Sequence, residues 1–85
     1  MSYTLTVNGW TGCTGSGTYP DGKIVEVTPG TLPPNRTFAE WGGANSGNLL
    51  DPVTYSTNHF KSLVPGNFAI NAGYDIDGKV HFCCP

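Results

Sequence analysis

The sequence predicts one small all-β domain of about six short strands, antiparallel, with little or no helix. Three observations carry this. First, apolar and polar residues alternate with period two in several short runs. Second, 12 Gly and 7 Pro in 85 residues punctuate those runs at the spacing of small β folds. Third, Ala, Leu, Glu and Lys are too scarce for a helical bundle. The length allows a single domain, 1–85, with a modest core.

The elements follow in order. Tyr3, Leu5 and Val7 alternate with Thr4, Thr6 and Asn8, a half-buried strand. The Gly-rich stretch Gly9 to Gly17 cannot be a strand interior and is a loop. Tyr19-Pro20-Asp21-Gly22-Lys23 is a turn, because Pro presets φ, Asp bonds nearby backbone and Gly accepts positive φ. Val25 and Val27 point one way, Glu26 and Thr28 the other; Pro29-Gly30 and Pro33-Pro34 stop that strand. Phe38 and Trp41 are three apart, so burying both requires a bulge or bend. Gly42 to Asn48 is a loop, Val53 to Phe60 is expected to be a further strand, and Leu63 to Gly66 turns the chain.

Phe68, Ile70, Ala72 and Tyr74 share one face, and so do Val80, Phe82 and Cys84. A two-residue Asp77-Gly78 turn would set Tyr74 opposite His81. A three-residue loop, Ile76-Asp77-Gly78, pairs Asp75 with Lys79 and brings the two apolar rows onto one face. The second register is the expectation, with Gly78 at the left-handed position of a bulged turn.

Tyr3-Thr4-Leu5-Thr6-Val7-Asn8, then Gly15-Ser16-Gly17-Thr18-Tyr19-Pro20-Asp21-Gly22 leading to Val25-Glu26-Val27, then Phe38-Ala39-Glu40-Trp41, and Val64-Pro65-Gly66-Asn67-Phe68-Ala69-Ile70-Asn71-Ala72-Gly73-Tyr74 form an ordered set. This set resembles the divergent internalin B-type repeat, a module of bacterial surface proteins and of some phage proteins. The resemblance covers Tyr3 to Tyr74. It implies a β-grasp-like sheet, a surface location, and structural or adhesive work without catalysis. The chain departs from the family in showing no second copy. The strand 79–84 and the cysteines lie outside the usual pattern or decorate it, so the repeat core is 3–74.

The chain has three cysteines, Cys13, Cys83 and Cys84. By the chosen register Cys84 faces the core and Cys83 faces out. Vicinal cysteines bridge each other only with strain, so the readings are a Cys13 bridge to Cys83 or Cys84, reduced packing thiols, or an intermolecular link. A Cys₃His zinc site from these cysteines and His81 lacks the CxxC knuckle. Asp75-Ile76-Asp77-Gly78 has too few ligands for calcium and is explained by the hairpin. Gly15-Ser16-Gly17 has neither the Lys nor the helix of a phosphate loop. Glu26 and Glu40 have no cleft to work in. No catalytic residue, metal or cofactor is expected. Trp10, Trp41 and Tyr55 are of the type that stacks on sugars; the resemblance implies that Trp41 belongs to the core, which leaves Trp10 and Tyr55, with His59, as contact or recognition residues.

Only ten residues are charged, for a net charge of −2, which excludes a nucleic-acid binder working by phosphate neutralisation. No run is apolar enough to insert in a membrane. The opening Met1-Ser2-Tyr3-Thr4 has neither the basic segment nor the apolar stretch of a signal peptide. The expectation is a non-enzymatic structural or binding module of a virion surface: a capsid decoration protein or a tail or fibre accessory, contacting neighbouring subunits as a homo-oligomer or in a larger assembly. The alternative is a repeat excised from a bacterial cell-surface adhesin, acting as spacer or binding a protein or a host glycan.

Overall fold

The computed structural model describes residues 1–83. Its strands are β1 (Ser2–Asn8), β2 (Gly17–Pro20), β3 (Val25–Val27), β4 (Thr37–Gly42), β5 (Asn58–Phe60), β6 (Gly66–Ile76) and β7 (Lys79–Phe82), with one short 3₁₀ turn at Ser46–Asn48. The fold is all-β.

The main sheet runs β2-β1-β6-β4, with β7 also paired to β6. β1 and β2 form an antiparallel hairpin across the Gly-rich loop, with Leu5 opposite Gly17. β1 and β6 are parallel, Leu5 opposite Phe68 and Val7 opposite Ile70. The sheet is therefore mixed, where antiparallel pairing throughout was expected. The reason lies in the side-chain rows. This register lays Tyr3, Leu5 and Val7 alongside Phe68 and Ile70 on the core face, and the segment between them is long enough for the crossover a parallel pair demands. The parallel central pair thus carries an antiparallel strand on each side.

β3 and β5 make a second, two-stranded antiparallel sheet. It supplies Val25, Val27 and Phe60 to a core otherwise built from Tyr3, Leu5, Val7, Trp41, Ile70 and Ala72. The Tyr3 ring sits 5.9 Å from Phe60 and 6.1 Å from Phe68. In so small a domain, burying these rings supplies much of the stabilisation, at about 2–3 kcal/mol for each large side chain. The three-residue spacing of Phe38 and Trp41 resolves as predicted: the β4–β6 register shifts between Phe38 and Glu40, and the two rings meet at 5.6 Å.

Two further expectations need correction. The β6–β7 hairpin takes the other register: Ile76 pairs with Lys79, Asp75 with Val80 and Tyr74 with His81. Asp77 (φ 51°) and Gly78 (φ 75°) both have positive φ, the signature of a type I′ turn, whose twist matches that of the flanking strands. The slip inverts the whole strand, as a period of two requires. Val80 and Phe82 go to the outer face, where Phe82 lies over Gly42 and Gly73. Cys83, expected to face out, is buried, and its N–H donates to the Ala72 carbonyl.

Second, the strand expected over Val53 to Phe60 shrinks to Asn58–Phe60. Pro52 to Tyr55 is instead a turn closed by the Tyr55 N–H on the Pro52 carbonyl. Its backbone groups are taken up by Trp41 and Asn58 rather than by a neighbouring strand. Of the readings left open for the cysteines, Cys13 takes that of a reduced thiol, half-buried, with its Sγ 3.7 Å from the Val7 carbonyl, whereas Cys83 is disulfide-bonded. Cys13 is thus not the partner of Cys83. Cys84, and with it the end of the expected strand 79–84, lies outside the described residues.

Candidate functional site

The segment from Ser46 to Ser62 organises one surface of the molecule. Its anchor is Asn58, a fully buried amide. Asn58 Oδ1 accepts from the backbone N–H groups of Asp51 (3.1 Å) and His59 (2.8 Å), and Nδ2 donates to the carbonyls of Asp51 (3.3 Å) and Pro52 (2.9 Å). Every hydrogen-bonding position of the amide is thus filled, which is what a buried polar group requires. Trp41 holds the other side of the loop: its N–H donates to the Val53 carbonyl, and its indole Nε1–H to the carbonyls of Tyr55 (3.0 Å) and Ser56 (3.1 Å). A loop without ladder partners is thereby fixed to the core.

Next to it the chain builds an open apolar groove of about 490 Å³ between residues 47–50 and 61–64. Leu49 bridges to Phe60, and the Leu50 N–H donates to the His59 carbonyl, so the two walls run antiparallel. Asn48 Nδ2 donates to the Lys61 carbonyl across the groove. On the far wall the buried Ser62 hydroxyl donates to the Val64 carbonyl and accepts from the Val64 N–H, a tight local turn that pushes Leu63 and Val64 outward. Leu63 is 73% exposed, Val64 59% and Leu50 53%. Gly22, near which Leu63 lies, donates its N–H to the Ser62 carbonyl, tying the groove to the β2–β3 turn.

The three recognition residues expected from the sequence do not converge. Tyr55 is exposed on the Pro52–Tyr55 turn. His59 Nδ1 lies 2.9 Å from Asp51 Oδ2, with both side chains more than a third exposed. Trp10 is half-buried elsewhere: its N–H donates to the Pro29 carbonyl and its ring stands 5.6 Å from Tyr74. No ring contact or hydrogen bond joins any two of the three among the described residues.

The groove residues Leu50, Leu63 and Val64 escaped the sequence reading. They sit in turns, where no periodicity signals whether a side chain is in or out. The one available signal was the pair of apolar dipeptides, Leu49-Leu50 and Leu63-Val64, placed among Gly, Asn and Pro.

Among the described residues no three His, Cys, Asp or Glu side chains come together in a group able to hold a metal ion. No helix among them is long and apolar enough to cross a membrane. No family model, curated protein or solved structure matches the chain.

Proposed function

We propose that the protein is a non-enzymatic structural module that works through contacts with protein neighbours, including further copies of itself. The observation that carries this reading is the exposure of Leu50, Leu63 and Val64 together along one groove, on a chain with few charged residues. Leaving large aliphatic side chains in water forgoes about 1.5–3 kcal/mol each relative to burial, and clustered exposure of this kind marks interaction surfaces. Repeated contacts between identical subunits close most often into symmetric oligomers. The concrete form proposed is a virion surface component, a capsid decoration protein or a tail or fibre accessory. The ordered motifs from Tyr3 to Tyr74 that resemble the internalin B-type repeat support a second reading, a repeat of a bacterial surface adhesin.

Two variants and one readout test the contact surface. Leu50→Asp and Leu63→Asp place a carboxylate on a side chain that is already exposed, so the fold is kept. If the reading holds, each weakens self-association by at least about tenfold, the equivalent of about 1.4 kcal/mol. Unchanged association of both variants sinks it.

A further inference from the structure

We infer that the outer edge of β7 pairs antiparallel with the same edge of a second copy of the chain, so that the main sheet runs on from one copy into the next across a two-fold axis at His81. Backbone geometry fixes which groups are on offer. The Cys83 N–H donates to the Ala72 carbonyl at 2.6 Å, so Ala72 and Cys83 are a hydrogen-bonded pair of the β6–β7 ladder. Such pairs alternate with unbonded ones along an antiparallel ladder. Tyr74 with His81 and Ile76 with Lys79 are therefore bonded pairs, whereas Gly73 with Phe82 and Asp75 with Val80 are not. The N–H and carbonyl groups of Val80 and Phe82 consequently point away from β6. Among the described residues β7 pairs with β6 alone, and no hydrogen bond reaches these outward groups. Every residue of β7 is exposed.

The other strand edges are covered or blunted. The Trp41 N–H of β4 donates to the Val53 carbonyl, Thr14 bridges Thr28 beside β3, and Leu49 bridges Phe60 on β5. β2 ends in Pro20, a residue type that blocks strand addition. β7 has only Lys79, at its turn end, to discourage it. The sequence of β7 suits a copy of itself. With His81 opposite the second His81, each Val80 faces a Phe82 and exchanges both backbone hydrogen bonds with it. The exposed Val80 and Phe82 side chains lie on one face of the sheet, so the paired strands cover them. The two Lys79 residues fall at opposite ends of the paired stretch and do not face each other. A strand pair this short buries less than the roughly 1,000 Å² of a lasting interface, so it is weak alone and adds to the groove contact. The inference rests on the reading that the chain self-associates, but it uses none of the residues that line the groove.

The test is sedimentation equilibrium on the parent chain and on variants of β7, each checked by its thermal melt. Val80→Pro removes an outward N–H and no bond to β6, so the hairpin is kept. It should weaken association by at least about tenfold. His81→Lys and His81→Glu each set like charges face to face on the two-fold axis, and each should associate at least about threefold more weakly than the parent. Their equimolar mixture should associate more tightly than either variant alone, because the axis then joins opposite charges. The His81 variants decide the matter if Val80→Pro melts early. The inference is overturned if the folded Val80→Pro chain associates as the parent does, if the mixture is no tighter than its components, or if the parent stays monomeric. Failure of the groove reading looks different: Leu50→Asp and Leu63→Asp would then associate like the parent while the β7 variants still weakened association.

Discussion

Asn58 and Tyr3 hold the fold by opposite means, one by satisfying polar groups and one by filling apolar space. Replacing Asn58 with Ala strips partners from the Asp51 N–H and from the Asp51 and Pro52 carbonyls in a dry environment. The expected cost is about 2–4 kcal/mol, read as a fall in the urea midpoint. Asp51→Ala should cost no more than about 1 kcal/mol through its exposed bond to His59, and that contrast separates the buried amide from the surface pair. Tyr3 donates its hydroxyl to the Lys23 carbonyl at 2.6 Å. Its pKa is raised above the ordinary value of 10.0, first by burial and then by Tyr19 and Asp21. A raised folded-state pKa means that the folded chain holds the proton more tightly than the unfolded one. The stability linked to it is fully present below pH 10 and is lost as the pH rises through the folded-state value. Denaturation of the parent and Tyr3→Phe at pH 8 and pH 11 checks this. The parent should lose more stability than Tyr3→Phe over that interval, and equal losses would refute the linkage.

At the scale of elements, the β6–β7 hairpin shows where the sequence is readable and where it is not. Strand existence was legible wherever a row of apolar residues alternated over a buried face: β1, β3 and the core half of β6 sit where the pattern puts them. The Phe38–Trp41 bulge was legible as well, because two core aromatics at odd spacing leave no other solution. The β7 register was not, because alternating apolar residues such as Val80 and Phe82 point to a core face by pattern alone. Phe82 has a seat on the outer face instead: its ring lies against Gly42 and Gly73, where any side chain's Cβ would collide with it. Nothing in the sequence of β7 alone announces two glycines on neighbouring strands. Gly42→Ala should therefore destabilise the domain by about 1–3 kcal/mol, and most of that loss should vanish in a Phe82→Ala background. Additive losses in a double-mutant cycle of thermal melts would show that the ring and the glycine are uncoupled. The loop at 51–57 failed as a strand for a related reason. Its β-branched and aromatic composition was real, but Asn58 and Trp41 capture its backbone groups from a distance in sequence that no local pattern reports.

At the scale of the whole molecule, the extents of 42 × 21 × 20 Å describe an elongated body. Its proposed contact region is the aliphatic groove at Leu50, Leu63 and Val64. Of the recognition residues named from sequence, the Trp10 ring stands against Tyr74, whereas Tyr55 and His59 lie elsewhere, since aromatic character in a loop signals a contact without saying with which neighbour. Scarce charge fits a module that associates by shape and apolar burial, and such association should be little weakened by salt, because there are few ion pairs to screen. The most direct test of the central claim is sedimentation equilibrium on the purified chain, from micromolar to about 1 mM, run beside the Leu50→Asp and Leu63→Asp variants. The parent should self-associate within that range, and the variants should melt at the parent's temperature but remain monomeric at concentrations where the parent assembles. A parent that stays monomeric throughout, or variants that assemble as it does, would contradict it.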